Sequence, residues 1–280
     1  MRAFPEFRTM GPSFWALIKY ISETLGYTVR KQGVVRTYEI DEMSTLLLEN
    51  GIAVDIDTLA SAKMYFDKRA DLLNNYVRLN LMTADEAKDV FTDLYPLHRD
   101  NHFLCKLPMN KQKGAMRQVA FFTAIINIIA EDTIRHSHVY DGTLGFNDDP
   151  RGLSYTLDDD NHIVGASSRR FDGAYPNILN PKAVWEIKEY YYATTFGSRV
   201  ADGVYETQLD GYEFKGIAER TGKPVTHIFF LDAYKTWWVD GKSYLCRIID
   251  TLNAGLVDEV IVGKEVLTRW SEVLQSIINE

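Results

Sequence analysis

The residues best suited to chemistry lie in Ala183-Val184-Trp185-Glu186-Ile187-Lys188-Glu189-Tyr190. Read as a strand, its two-residue period puts Glu186 and Lys188 on one face, and Trp185 and Ile187 on the other. A carboxylate and an ammonium on an apolar strand are costly to bury without a role or a partner. Thirteen residues lie between Asp172 and Glu186. Pro176, Asn177, Asn180 and Pro181 among them suit a hairpin that would bring Asp172 beside Glu186. Two carboxylates on adjacent strands can hold Mg2+, a hard cation that prefers oxygen ligands. Such an ion polarises a scissile phosphate and lowers the pKa of a bound water. A neighbouring lysine can orient that water or stabilise charge as the phosphate becomes five-coordinate.

The spacing alone carries little weight. An acidic residue, any residue, then Lys is expected about twice by chance in such a chain. It occurs four times: Glu86-Lys88, Glu186-Lys188, Glu213-Lys215 and Asp240-Lys242. The first and third fall in predicted helices, and the fourth is a polar turn. Only Glu186-Lys188 combines an apolar strand with an upstream Asp.

The elements that must position these residues can be read from periodicity. Residues 11–30, Asp41–Asn50 and Ile56–Asn80 read as helices. Thr83-Ala84-Asp85-Glu86 is a capping box that opens another, which Pro96 is expected to end. Leu97–Gly114 reads as a loop, and Gly114 as the opening of an apolar helix, Met116–His136. Turn chemistry follows at Asp141-Gly142 and Asp148-Asp149-Pro150. Leu153–Leu157 and His162–Ala166 flank a hairpin turn at 158–161. Beyond strand 183–190 the pattern gives a helix at Ala201–Thr221, a buried strand at Val225–Leu231 and a helix at Leu245–Ala254. A strand at Glu259–Val262 and a helix at Glu265–Ile278 close the series. The expected organisation is a mostly helical N-terminal region, 1–110, and an α/β core, 111–280.

Bulk properties limit the alternatives. The 280 residues are 46% hydrophobic and 25% charged, with sixteen Tyr, as in an ordered globular protein. Cys105 and Cys246 form no CxxC pair and are read as two reduced thiols. The N-terminal residues lack the apolar stretch of a signal peptide, and no run reaches a membrane span of about 18 residues. A cytoplasmic location and no membrane partner are therefore expected. Neither GxxxxGK[ST] nor GxGxxG occurs, so no nucleotide cofactor is expected. The net charge of −8 argues against bulk electrostatic binding of nucleic acid. A local basic cleft and a metal ion could still hold DNA.

Asp172, Glu186 and Lys188, in this element order, resemble the PD-(D/E)xK, or restriction-endonuclease-like, nuclease superfamily. The resemblance covers about residues 116–235 in element order. Phe171 stands where that superfamily often has Pro before its Asp. It implies a restriction-endonuclease-like α/β core, a mixed sheet flanked by helices, with the N-terminal helical region shaping a DNA cleft or contributing base contacts. It further implies metal-binding positions Asp172, Glu186 and Ile187, with Mg2+ as cofactor and Mn2+ as a substitute. In the superfamily the first core helix often supplies an acidic residue, for which Glu131 is the better choice over Asp132. Gln208-Leu209-Asp210-Gly211-Tyr212 resembles the QxxxY spacing of the RecB-like branch, placing Gln208 near the catalytic residues and Tyr212 at the phosphate.

Lys111, Lys113, Arg117, Arg169, Arg170, Arg199 and Arg151 are candidate phosphate contacts, each also compatible with an ordinary solvated side chain. His136 and His138 lack further zinc ligands. A Cys105 nucleophile with His102 or His98 lacks an oxyanion architecture. Trp237-Trp238 read as core. The expected function is Mg2+-dependent cleavage of double-stranded DNA, of the type II restriction kind, by a homodimer. The alternatives are a RecB-like exonuclease, a repair or phage-defence nuclease, and a DNA-binding protein with a decayed nuclease core.

Overall fold

The computed structural model describes residues 1–29, 33–192 and 198–280. Its N-terminal part comprises α1 (Pro12–Leu25), a two-residue pair β1 (Thr28–Val29) and β2 (Val34–Val35), α2 (Ile40–Glu49) and α3 (Ile56–Asp71). The helix expected over 11–30 thus ends at Leu25, and Arg30 lies outside the described residues. A wider turn at Leu72–Val77 joins α3 to the short α4 (Arg78–Asn80), so the long helical pattern over 56–80 is present with a change of pitch. The apolar stripes of α1, α2 and α3 close on one another through Phe14, Ile18, Ile21, Met43, Leu47, Tyr65 and Phe66.

Helix α5 (Ala84–Asp100) opens on the expected capping box, with Thr83 and Glu86 bonding reciprocally. Pro96 lies inside it instead of ending it. Proline removes one backbone donor. Here Val90, Phe91, Leu94 and Leu97 pack against the main core on both sides of that defect and hold the helix together. The next helix, α6 (Phe121–Arg135), starts five residues later than the expected Met116. The preceding residues pair with their own loop: Asn110 bonds to Gln118, Met109 bridges Val119, and Ala120 bonds to Pro108.

The remaining elements are β3 (Tyr155–Leu157), β4 (Ile163–Ala166), β5 (Gly173–Tyr175), β6 (Ala183–Glu189), α7 (Ser198–Thr221), β7 (Thr226–Asp232), α8 (Lys242–Asn253), β8 (Glu259–Val262) and α9 (Val266–Asn279). Strands β3 and β4 make a separate antiparallel hairpin. The main sheet has the order β5-β6-β7-β8, antiparallel at β5–β6 and parallel beyond. The fold is mixed α/β, a mixed sheet flanked by helices.

The alternation along β6 and β7 sorts the two faces. Ala183, Trp185, Ile228 and Phe230 join α5, α6 and α9 in one apolar layer. Val184 joins Phe171, Phe214 and Ile217, and Phe229 and Leu231 join α8, on the other. Helix α5, assigned to the N-terminal region by its sequence position, therefore packs as part of this core. Both cysteines are buried and free, and Trp237 and Trp238 are buried in the turn after β7. No described helix is long and apolar enough to cross a membrane.

Buried and half-buried polar ties join the N-terminal helices to the rest, among them Glu23 of α1 with Arg247 of α8 at 2.6 Å. Arg69 of α3 is wholly buried and pairs with Asp250 of α8 at 3.0 Å, while Tyr65 bonds to the same carboxylate at 2.5 Å. Ser22 of α1 takes another guanidinium hydrogen at 3.1 Å.

Candidate active site

The β5–β6 hairpin sets the site. Gly173 pairs with Trp185, Ala174 with Val184 and Tyr175 with Ala183, so Asp172 reaches the level of Glu186 just beyond the ladder. Gly173 is required by contact: a Cβ there would lie 2.0 Å from Cε2 of the Trp185 ring. The amide of Asp172 donates to the Trp185 carbonyl at 3.0 Å, and its carboxylate accepts from the Ile187 amide at 2.7 Å. The Ile187 amide thus points toward β5. In an extended strand the carbonyl of the same residue leaves on the same side, beside Asp172.

Glu186 and Lys188 share the other requirement, a covered face. They are 6% and 8% exposed, beneath α7. Gly203 of α7 leaves room for the lysine stem, since a Cβ there would sit 3.0 Å from Lys188 Cε. Lys188 pairs with Glu186 Oε1 and reaches Glu206 Oε2 at 3.3 Å. The second Glu186 oxygen accepts from Arg169 at 2.9 Å. Arg169 is in turn gripped by Asp210, Nε and Nη2 lying 2.9 and 2.6 Å from Oδ2. Its guanidinium also stacks over Phe171.

Electrostatics follow from this crowding. Surrounding protein, then the Glu186 charge, push Asp172 up to about 6. Asp172 keeps solvent access along one side, which weakens the effect of burial and leaves the neighbouring Glu186 charge to raise it. Burial pushes Asp210 up to about 6 against the pull of Arg169. Burial alone would lower Lys188, but Glu186 beside it more than offsets this and holds the ammonium above its ordinary range. Arg169 is held above its ordinary value in the same way, Glu186 and Asp210 outweighing burial. Four carboxylates (Asp172, Glu186, Glu206, Asp210) face one guanidinium and one ammonium. With all six ionised, the group carries two uncompensated negative charges.

That balance bears on whether a metal suits the site. No group of three or more His, Cys, Asp or Glu placed to hold a metal occurs among the described residues. The donors at hand are the carboxylates of Asp172 and Glu186 and the Ile187 carbonyl. Three hard oxygen donors and a double negative charge fit Mg2+, which keeps several waters and takes only one or two carboxylates. They do not suit a softer ion that needs a closed nitrogen or sulfur shell.

Other expected site residues lie elsewhere. Glu131 is wholly buried at the far end of α6, where it accepts from the amides of Leu104 (2.9 Å) and Cys105 (2.7 Å) and pairs with Arg135. There it anchors the 103–105 loop, on the side of the sheet opposite Glu186. Gln208 turns away from Glu186 and donates to Thr251 of α8 at 3.0 Å. Tyr212 is 65% exposed on the outer side of α7. Both departures have one cause. On α7 the face toward Glu186 is Gly203, Glu206, Asp210 and Glu213, and residues 208 and 212 fall off it by about 200° each from 206 and 210.

Among the basic residues, Arg169 is committed to carboxylates, whereas Arg170, Lys111, Lys113, Arg117 and Arg199 are exposed. Gln112 donates to the Tyr192 carbonyl at 3.3 Å, and Tyr190 to the Arg199 carbonyl at 3.2 Å. These bonds keep Lys111, Lys113 and Arg199 near the C-terminal end of β6. Arg151 pairs with Asp149. Glu206 and Asp210 were missed in the sequence, although acidic residues at 206, 210 and 213 form a stripe at helical spacing. Glu189 was also missed. It points to the opposite face, where it accepts from the amide and hydroxyl of Thr123 and caps α6.

Comparison with known proteins gives two family matches. Residues 82–277 match a family described as Domain of unknown function (DUF7687), and residues 1–76 match Domain of unknown function (DUF7690). No curated protein and no solved structure matches the chain.

Proposed function

Because the chain belongs to the DUF7687 family, whose description carries no activity, we propose from its geometry that it is a Mg2+-dependent nuclease of the PD-(D/E)xK kind acting on double-stranded DNA. The observation that carries the reading is Asp172, the residue before β5, set level with Glu186 of the antiparallel β6, with Lys188 two residues on along the face of Glu186. The strand order, one antiparallel and two parallel neighbours with helices on both faces, supports a restriction-endonuclease-like core.

Asp172, Glu186 and the Ile187 carbonyl would hold the ion. When bound, Mg2+ supplies charge neutralisation at the phosphate and a more acidic water. Hydrolysis forms a bond from the water oxygen to phosphorus and breaks the bond to the leaving sugar oxygen, which collects a proton. Lys188, kept protonated by Glu186, serves as a hydrogen-bond donor to the developing negative charge and not as a base. The exposed Arg170, Lys111, Lys113 and Arg199 supply backbone contacts around this point. One site per chain cuts one strand, so a double-strand break needs two copies or two successive nicks.

A second reading has one observation in its favour. Both Glu186 oxygens are satisfied by internal cations, as in a DNA-binding protein whose nuclease core has decayed. Incubation of plasmid with protein and Mg2+, with EDTA, and with Lys188→Ala separates the two. Cleavage that EDTA abolishes and Lys188→Ala reduces about 10²–10³-fold supports the enzyme. Discrete products point to the restriction type and progressive loss from ends to an exonuclease. Intact DNA throughout overturns the enzyme reading.

A further inference from the structure

We propose that Arg169 is a mobile substrate-contacting residue that occupies the metal's oxygen on Glu186 until a divalent cation arrives. This rests on the nuclease reading above and adds a residue to it. Arg169 is the only group on Glu186 Oε2 among the described contacts, at 2.9 Å. Its stronger attachment is elsewhere: three bonds of 2.6–3.1 Å bind Nε and Nη2 to Asp210. The guanidinium is thus anchored on one side and transferable on the other only as a unit. Because the fork of donors is rigid and planar, Nη1 leaves Glu186 when the whole guanidinium pivots on Asp210, with Nη2 as the retained contact at 2.6 Å.

What makes the transfer favourable is charge. With Arg169 on Glu186, two cations already share that carboxylate and Asp172 has none. A divalent ion held by Asp172 and Glu186 would repel the guanidinium as a like charge, and Nη1 would then turn from Glu186 toward solvent. The group best able to satisfy it there is a phosphate oxygen, to which Arg donates with geometric specificity. Arg170, the next residue in the chain, is exposed. Glu206 Oε2 stands 3.8 Å from Nη1 and 3.3 Å from Lys188, offering the released donor an intermediate stop.

The test is Mn2+ binding to the full chain without DNA, followed by electron paramagnetic resonance and calorimetry. Wild type is compared with Arg169→Gln, Arg169→Lys and Glu186→Gln, with circular dichroism to verify folding. Arg169→Gln is expected to bind Mn2+ at least tenfold more tightly and yet to cleave DNA more slowly. Arg169→Lys, too short to bridge Asp210 and Glu186, is expected to bind Mn2+ with intermediate affinity, and it serves if the glutamine variant does not fold. Glu186→Gln should lose the ion. If Glu186→Gln loses Mn2+ while both Arg169 variants bind it no better than wild type, the metal site stands and the role of Arg169 is overturned. If Glu186→Gln binds Mn2+ like wild type, or no form binds it, the nuclease reading falls and this inference with it.

Discussion

Glu131→Ala should unfold the protein more readily without touching the chemistry. Glu131 is fully buried, and its two oxygens accept from the Leu104 and Cys105 amides and from Arg135. Alanine would leave the buried Cys105 amide without an acceptor and turn the amide of exposed Leu104 over to water. Each unsatisfied donor costs about 1–3 kcal/mol. Arg135 keeps the Asn101 and His102 carbonyls and the Phe103 ring, so its loss adds little. With the full penalty at Cys105 and about 1 kcal/mol for the lost Leu104 bond, the sum is about 2–4 kcal/mol, a large part of the ~5–15 kcal/mol that holds a typical domain. Glu131→Gln, which keeps one acceptor but turns an NH2 toward the other donors, should lose about half as much. Urea unfolding followed by circular dichroism reads both values. Cleavage per folded molecule, measured well below the unfolding midpoint, should stay within about threefold of wild type, consistent with a purely structural role. A variant as stable as wild type but without cleavage would refute the anchoring role and return Glu131 to the active site.

Three other outcomes follow from the packing. His227 is fully buried, with Nδ1 donating to the Leu256 carbonyl, and burial lowers it to about 4. The unfolded chain takes up that proton near pH 6.5, so the folded state loses stability as pH falls from about 6.5 to 4. The gap corresponds to about 3 kcal/mol. Wild type should therefore lose about that much relative to His227→Phe between pH 7 and pH 4 in paired urea titrations, and a constant difference would contradict it. Gly211→Ala would gain about 1 kcal/mol from helix propensity alone. The added Cβ would lie 2.2 Å from the Leu256 carbonyl oxygen, so a net loss of melting temperature is expected, and a gain would mean that α7 sits farther from Leu256. Gln208→Ala should change cleavage less than about threefold, because Gln208 bonds to α8, and a loss above tenfold would place it at the reacting phosphate.

How far the sequence disclosed this arrangement depended on the range of the interactions involved. Strand 183–189 and its hairpin to Asp172 were legible, because alternation and turn residues are local signals. The same is true of the Thr83 capping box and of β8, whose bounds match the expected ones. Helix length through Pro96 was not legible, since it depends on Phe91 and Leu94 finding α6. The late start of α6 is set by a pairing across residues 109–119 that no periodicity announces. At the site, the choice of Gln208 over Asp210 came from a motif spacing. The facing residue is instead fixed by how α7 rotates on the sheet, a tertiary quantity. Arg169 was expected to meet phosphate, and its carboxylate partners lie 17 and 41 residues away in the chain.

The Arg69–Asp250 tie carries a consequence for how the two family segments relate. Arg69 falls within the segment matching one family, Asp250 within the segment matching the other. Around them Tyr27, Val35, Leu73 and Val77 share a single apolar cluster with Ile248, Ile249 and Val260. Separation would strand a guanidinium that has no route to solvent and strip one side from a β-sheet's hydrophobic cover. Breaking such a pair by removing one partner costs about 3–5 kcal/mol. The two matched segments are thereby held as one thermodynamic unit, expected to melt together and to constrain each other's substitutions across the seam.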